Sequence, residues 1–225
     1  MVDLVEWAAD RPLFTFNDAA RAVDITRGSL HERLSRLTKR GDVYRVERGK
    51  YTVHEDPLIY ATYVATPSYL TLWSGLRFYD ITTQLPTRVQ VMTAQARTDL
   101  AEIQFFASAN LFGFDKQRYR GFDIFVAEPE RLLLDCLSRK AVPVSELREL
   151  IDTVDPTKCV EYANRFGRNS VKKRVGYLLE HWRGVRKKEL CVDDRNYPPL
   201  DLNAPRDGTI DTEWRLEVNF DAVAQ

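Results

Sequence analysis

The sequence has few of the residues that build disulfide and metal sites. Its 225 residues include only three cysteines and three histidines. These are Cys136, Cys159 and Cys191, and His31, His54 and His181. The cysteines form no CxxC pair, and the histidines have no cysteine or acid partner at ligand spacing, so the pattern argues against a disulfide framework and a zinc site. We therefore predict a reduced, cytoplasmic protein that binds no metal and needs no cofactor.

Long apolar runs and an overall charge are also absent. No segment approaches the run of about 18 apolar residues that spans a membrane, so no membrane partner is predicted. The first ten residues carry three acids and no base, which predicts that they are not a signal peptide. Lys+Arg and Asp+Glu are both 33, so the charge of the whole chain gives no indication of a nucleic-acid partner.

The charges that are present are segregated along the chain. Residues 27–50 contain eight bases and three acids, and residues 165–188 contain nine bases and one acid. Residues 189–225 reverse the balance, with nine acids and three bases. The neutral total therefore conceals two basic segments and an acidic tail. A hydrophobic content of 44% predicts that the chain folds around real cores.

The segment HEDP at residues 54–57 marks the predicted boundary between two domains. Residues 1–56 have the size of a small DNA-binding domain, and residues 57–225 form a larger domain that ends in the acidic tail from about residue 189. The predicted fold class is α+β, with an N-terminal winged helix-turn-helix followed by a larger helix-rich α+β domain.

Residues 14–53 show the order of elements of a winged helix. A short helix, with Asn17 as its candidate cap, precedes a longer helix that Thr26 can cap and that Gly41 ends. The apolar face of the longer helix is formed by Leu30, Leu34 and Leu37. Alternating apolar and polar residues at 43–53 then predict a hairpin with a basic tip.

In a winged helix, the second helix enters the major groove and the wing meets phosphate. The candidates for reading base edges are Arg27, Ser29, His31, Glu32 and Arg36. The candidates for phosphate contacts are Lys39, Arg40, Arg45, Arg48 and Lys50. A winged helix that is used only for protein contacts is the alternative.

The larger domain is predicted to alternate between helices and strands. Its predicted elements are a helix capped by Ser68 and running to about Tyr79, a strand at 88–94, a strand and a helix at 121–137, helices at 145–154, 156–167 and 170–182, and a last strand around Trp214–Asn219. The apolar stripe of the last helix is Val171, Val175, Leu178 and Trp182.

Five segments, spread over most of the chain, together form a specific pattern: YLTLWSGLRFYDITTQLP, EPERLLLDCL, YANRFG, VKKRVGYLLE and WRLEVN. In this order they closely resemble the AbiEi family of antitoxins of type IV toxin–antitoxin systems. The resemblance implies a prokaryotic, cytoplasmic protein of phage defence that represses its own operon, with inverted repeats in the promoter as the expected operator. It further implies that the C-terminal domain neutralises a toxin with a nucleotidyltransferase fold, without a stable complex. The acidic tail has no clear counterpart in the family pattern.

The sequence lacks the elements of a catalytic site. A nucleotidyltransferase needs two carboxylates one residue apart to hold two metal ions, whereas Asp123 is followed at position 125 by Phe125. We therefore predict no catalytic residues. The acids of this region, interpreted as capping and surface acids, are Asp123, Glu128, Glu130 and Asp135. The alternatives are an enzyme that reverses the modification made by the toxin, through Asp123 or Asp135, and a stand-alone ligand-responsive regulator.

The second basic segment has two open interpretations. Its bases outside the apolar stripe include Lys172, Lys173, Arg174, Arg186, Lys187 and Lys188. They form either a second nucleic-acid surface, which extends the DNA footprint or contacts an RNA, or the support onto which the acidic tail folds back.

Overall fold

The structure, a computed structural model, describes residues 3–220 and divides into two compact units. The first unit runs from the N-terminus to Leu70 and also includes Thr87–Leu111 and Lys116–Phe125. The second unit contains Thr71–Pro86, Phe112–Asp115 and the chain from Val126 onwards. The boundary predicted after residue 56 falls inside the first unit, and it stays a prediction about where the N-terminal module ends.

The N-terminal module has the element order of a winged helix. Its elements are α1 (Leu4–Ala9), β1 (Phe14–Thr15), α2 (Phe16–Ala22), α3 (Arg27–Arg40), β2 (Tyr44–Glu47) and β3 (Lys50–Thr52). The strands form an antiparallel sheet in the order β1-β3-β2. The sequence pattern predicted α2, α3 and the β2–β3 hairpin, and it missed α1 and β1.

The helix ends follow local capping chemistry. Thr26 caps α3 by accepting a hydrogen bond from the Ser29 amide at 3.2 Å, and Gly41 ends the helix in the left-handed region with φ at 81°, as predicted. The cap of α2 is Thr15, so the prediction of Asn17 was wrong. The Thr15 hydroxyl accepts from the Asp18 amide at 3.1 Å while the Asp18 carboxylate accepts from the Thr15 amide at 2.9 Å, which forms a capping box.

The module has a hydrophobic core of its own. Leu30 and Leu34 of α3 are 0% and 2% exposed, respectively. They belong to a cluster whose other buried members are Leu4, Ala8, Phe14, Phe16, Ala19, Val23, Val43 and Tyr51. Leu37, at the margin of the same helix face, is partly buried against this cluster. Because every buried member of this cluster lies within residues 4–51, burial of apolar area stabilises the winged helix from within.

The remainder of the first unit is built on a five-stranded sheet. Its elements are α4 (Pro57–Val64), β4 (Ser68–Leu70), β5 (Val89–Thr93), β6 (Ile103–Ala107), β7 (Phe114–Tyr119) and β8 (Phe122–Ala127), and the strand order is β6-β5-β4-β8-β7. The helix predicted from Ser68 was wrong in its first turn. Residues 68–70 instead form a strand that pairs with β5. Tyr69 and Leu70 are both fully buried in it. The end residues of β7 and β8 are assigned to the second unit.

The second unit is mainly helical. Its elements are α5 (Leu72–Phe78), α6 (Pro129–Leu137), α7 (Arg148–Thr153), α8 (Pro156–Phe166), α9 (Asn169–Arg183), β9 (Thr209–Asp211) and β10 (Leu216–Val218). Pro129 occupies the first helical position of α6, and the predicted apolar stripe of α9 is buried. Among residues 3–220, no helix is both long enough and apolar enough to cross a membrane.

The C-terminal segment is packed onto α9 by a tryptophan that meets a glycine. Trp214 is 1% exposed and donates its indole N–H to Glu180 Oε2 at 2.6 Å. A Cβ atom at position 176 would lie 2.0 Å from an atom of the Trp214 ring. Gly176 is therefore needed for this close approach, although glycine in a helix interior is otherwise unfavourable.

Replacing a glycine inside a helix by alanine usually stabilises a protein, but this contact predicts the opposite effect at position 176. Gly176→Ala should destabilise the protein by about 1–3 kcal/mol, because the added methyl overpacks the Trp214 site. The matched control is Gly28→Ala in α3, where the nearest heavy atom to the new methyl would be 3.9 Å away. That variant should be neutral or more stable by up to about 1 kcal/mol. Urea unfolding measures both, and equal stabilities of the two variants would contradict the packing.

Candidate nucleic-acid interface

One face of α3 is exposed along its length and polar. Ser29, Glu32, Arg36 and Lys39 are spaced by three, four and three residues, which places them on one side of the helix. All four are exposed, and they lie opposite the buried Leu30. The face therefore has the hydrogen-bonding groups that can reach base edges, and Glu32 carries its only acid.

The wing, defined here as the β2–β3 hairpin with its turn, presents two arginines. The turn is formed by Arg48 and Gly49, and Gly49 adopts a φ of 79° that favours glycine. The side chains of Arg45 and Arg48 are exposed. Within residues 3–220, neither they nor Arg36 and Lys39 of α3 form an ion pair, so their charges are available to an external anion.

Two of the predicted base-reading residues are held at the margin of this face by α2. The Arg27 guanidinium carbon lies 4.9 Å from the centroid of the Phe16 ring, and its terminal nitrogens lie 3.4 Å from Asn17 Oδ1. The His31 ring stacks on the same Phe16 ring, with 4.4 Å between the centroids. Both side chains are exposed, and the contacts give each of them a preferred direction beside the helix-turn-helix corner. Arg40 forms an ion pair with Asp42 at 2.8 Å.

Lys50 requires a correction. Its ammonium donates to the backbone carbonyl of Val64 at 2.6 Å and forms an ion pair with Glu47 at 2.9 Å. Its side chain is 30% exposed. The lysine therefore satisfies groups inside the first unit and is not the free phosphate contact that was predicted. The alternation of the hairpin could not reveal this, because Val64 lies 14 residues away in the sequence.

The second basic segment also requires a correction, because two of its members are buried. Lys173 is 0% exposed, and its ammonium donates to Asp194 Oδ1 and to the carbonyl of Asn196, both at 2.5 Å. Arg174 is 3% exposed and donates to the carbonyls of Pro199 and Leu137, both at 2.8 Å. Neither side chain can form an exposed nucleic-acid surface.

The burial and pairing of these two bases shift the pKa values of Arg174 and Asp194. Loss of hydration lowers the pKa of Arg174 to about 10. The hydrogen bond from Lys173 holds the pKa of the Asp194 carboxyl below its ordinary value of 3.8. Asp194 belongs to the acidic tail, so the most buried base of the helix is neutralised by the tail.

The other four predicted members of this surface differ in their surroundings. Arg186 pairs with Glu180 at 3.3 Å and with Glu213 of the acidic tail. Lys187 donates to the Thr157 hydroxyl at 3.2 Å. Lys172 is half-buried and Lys188 is exposed. The pairs with the tail are those expected from the intramolecular interpretation, whereas a nucleic-acid role of Lys172, Lys187 and Lys188 stays a prediction.

The acids considered for catalysis are engaged in local contacts. Asp135, 1% exposed, accepts from Arg131 Nε at 3.0 Å and from the Thr71 hydroxyl at 2.9 Å. Glu130 is 5% exposed and pairs with Lys158 at 3.2 Å. Interpreting these two as surface acids was therefore wrong, because α6 is buried on every side. Residues 3–220 contain no group of three or more His, Cys, Asp or Glu side chains arranged to hold a metal ion.

The two remaining acids differ from this pair. Asp123 pairs with Arg118 at 2.9 Å and Lys116 at 3.3 Å, and these donors lower the pKa of its carboxyl. Glu128 lies at the N-cap of α6, although its side chain makes no cap hydrogen bond and instead pairs with Lys158 at 3.0 Å. Each of the two acids thus forms an ion pair with a neighbouring basic side chain.

Comparison with known proteins connects the N-terminal module to a family. Residues 2–54 match the sequence model of a family described as transcriptional regulators, AbiEi antitoxin, which confirms the predicted resemblance over this module. The crystal structure of the RV2827C protein from Mycobacterium tuberculosis is similar over 95% of this chain and 88% of that chain, with a TM-score of 0.65 and 15% identity. That likeness shows the fold alone and confirms the α+β class. No curated protein matches the chain.

The buried lysine of α9 predicts a contrast between stability and binding. Lys173→Met should lower the free energy of unfolding by about 2 kcal/mol, because Asp194 and the Asn196 carbonyl lose their donor. Lys187→Met, which removes the same charge from a less buried site, should change it by less than about 0.5 kcal/mol. Urea unfolding at neutral pH measures both. Equal effects of the two substitutions would contradict the structural role of Lys173.

The same pair sets a pH dependence. Because the folded-state pKa of Asp194 is lowered, its contribution is present above the ordinary value of 3.8 and is lost as the pH falls through the lowered value. The wild type should therefore lose stability more steeply than Lys173→Met below about pH 4. If the free energies of unfolding of the two proteins fell in parallel below about pH 4, the pair would contribute nothing to stability.

Proposed function

From an N-terminal module that matches the AbiEi antitoxin regulators over residues 2–54, we propose that the protein binds operator DNA and represses its own operon. The observation that carries the proposal is the exposed face of α3, which lies beside a wing with two exposed arginines. The operator is an inverted repeat in the promoter of that operon. Each half is contacted by one α3 in the major groove and one wing on the adjacent backbone.

The contacts divide between bases and phosphates. Ser29, Glu32 and Arg36 read base edges, with Arg27 and His31 reading at the margin where Phe16 orients them. The phosphate contacts are made by Lys39, Arg40, Arg45 and Arg48. Since each phosphate that is neutralised releases counterions, the affinity falls steeply with salt concentration.

The second part of the proposed function is that of a type IV antitoxin in phage defence. The C-terminal domain counteracts a toxin with a nucleotidyltransferase fold, does so without a stable complex, and performs no catalysis of its own. The engagement of Asp123 with Arg118 and of Asp135 with Arg131 supports this absence of catalysis, because both acids stabilise their neighbours. The exposed basic side chains of residues 165–188 contact the RNA on which the toxin acts.

Removal of single arginines should weaken operator binding without unfolding the protein. Arg36→Ala should weaken binding by about 1–3 kcal/mol, the range for a good base contact, and Arg45→Ala should weaken it about equally for all DNA sequences, as expected of a phosphate contact. Arg45→Ala should also reduce the slope of log K against log salt by about one. The control is Lys140→Ala, which removes an exposed charge from the second unit. Fluorescence anisotropy with promoter DNA measures all four proteins.

The two arginine variants separate DNA binding from other roles of the module. Operator affinities equal to that of the wild type in both variants would contradict the assignment of α3 and the wing. Equal losses in Lys140→Ala would show that binding responds to overall charge alone.

Antitoxin activity should be retained when DNA binding is weakened. Co-expression of Arg36→Ala with the proposed nucleotidyltransferase toxin should restore growth as the wild type does, because neutralisation is assigned to the C-terminal domain. Titration of the purified proteins distinguishes the mechanisms. A protein without catalysis protects the toxin's substrate but leaves substrate that is already modified unchanged. Turnover of modified substrate at far below one equivalent, weakened by Asp123→Asn, would contradict the proposal and identify an enzyme.

A further inference from the structure

The rear of the wing is tied to the rest of the first unit by three charged side chains. Glu47 ends β2 and Lys50 begins β3, and the two residues face each other at the base of the Arg48–Gly49 turn. One Glu47 oxygen pairs with the Lys50 ammonium at 2.9 Å, and the other pairs with the Arg97 guanidinium at 2.5 Å. A single carboxylate therefore connects the hairpin to the loop between β5 and β6.

A backbone carbonyl completes the cluster. Val64 is the last residue of α4, and its carbonyl accepts from Lys50 at 2.6 Å and from Arg97 at 3.2 Å. The last carbonyls of a helix have no partner within the helix and lie at the negative end of its dipole, so both cations are favourable there. We call Glu47, Lys50, Arg97 and the Val64 carbonyl the wing clamp.

The wing clamp is shielded and rests on a rigid support. The side chains of Glu47, Lys50 and Arg97 are 23%, 30% and 25% exposed, so water screens these pairs less than ordinary surface salt bridges. The Arg97 guanidinium carbon also lies 4.4 Å from the centroid of the Phe105 ring, on β6. The turn of the wing is thus anchored, through Arg97, to the five-stranded sheet.

We propose that the wing clamp positions the wing for DNA, with Arg97 and Glu47 as positioning residues. This inference rests on the proposed function. A mobile wing would lose conformational freedom on binding. The clamp removes that freedom beforehand. The β5–β6 loop lies outside residues 2–54, so a segment beyond the matched module controls how well the module holds DNA.

The sign of one substitution separates positioning from simple electrostatics. Glu47→Gln removes a negative charge close to the DNA-binding surface and frees two cations, so charge alone would tighten DNA binding. If the clamp positions the wing, the variant should raise Kd for promoter DNA about threefold to tenfold, the size expected when residues in contact are uncoupled. The control is Glu102→Gln, which removes an exposed acid of the same unit outside the clamp. It should leave Kd unchanged or lower it slightly.

Arg97 is tested through a double-mutant cycle with the tip of the wing. Arg97→Leu should raise Kd about as much as Glu47→Gln does, and Arg97→Lys should restore part of the affinity. Arg48→Ala should weaken binding about fivefold in the wild type but less than about twofold in Arg97→Leu, because an unclamped wing already makes a poor contact. A direct phosphate contact by Arg97 would instead give additive effects. All measurements are made below the thermal unfolding temperature of each variant, so that a loss of stability alone leaves Kd unchanged.

The outcomes distinguish this inference from the proposed function. Absence of promoter binding by the wild type overturns the proposed function. Binding by the wild type with an unchanged or lower Kd in Glu47→Gln overturns the clamp and leaves the proposed function standing. Additivity of Arg48→Ala and Arg97→Leu also overturns the clamp.

Discussion

The burial of Leu30 and Leu34 in the N-terminal core fixes the orientation of α3, and the proposed function depends on that orientation. Because the two leucines are 0% and 2% exposed, the helix cannot rotate without exposing apolar area. Ser29, Glu32, Arg36 and Lys39 must then face solvent. The capping contacts of Thr26 and the left-handed Gly41 set where this face begins and ends. An ordinary packing requirement thereby presents a polar, basic stripe to an external partner.

A second constraint explains how a chain without net charge can present such a surface. Acids of the tail form ion pairs within the second unit. Asp194 pairs with the buried Lys173, and Glu213 pairs with Arg186. Of the bases proposed to contact DNA, Arg36, Lys39, Arg45 and Arg48 form no ion pair among residues 3–220. Whole-chain neutrality therefore gives no information about the potential at the proposed DNA-binding face, since charges are screened within about 10 Å at ordinary salt concentrations.

The sequence was sufficient where short-range patterns determine structure. The i, i+4 spacing of leucines, the cap at Thr26 and the alternation of the hairpin predicted the winged helix, and the AbiEi resemblance agrees with the family model that matches residues 2–54. Predictions failed where partners come from distant parts of the chain. Lys50 bonds to Val64, and Lys173 bonds to Asp194, 21 residues further on. A local sequence pattern does not distinguish a buried base from an exposed one. For the same reason the sequence did not indicate that Asp135 is buried, because the contacts that surround α6 come from distant parts of the chain.

Hydrogen exchange measured by mass spectrometry with and without promoter DNA tests the central claim most directly. The amides of α3 and of the wing, residues 27–52, should exchange more slowly when DNA is bound, because DNA covers that surface. Peptides of the second unit from residue 126 onwards should be unchanged. Protection confined to the second unit, or no protection at saturating DNA, would contradict the assignment of α3 and the wing as the DNA-binding surface.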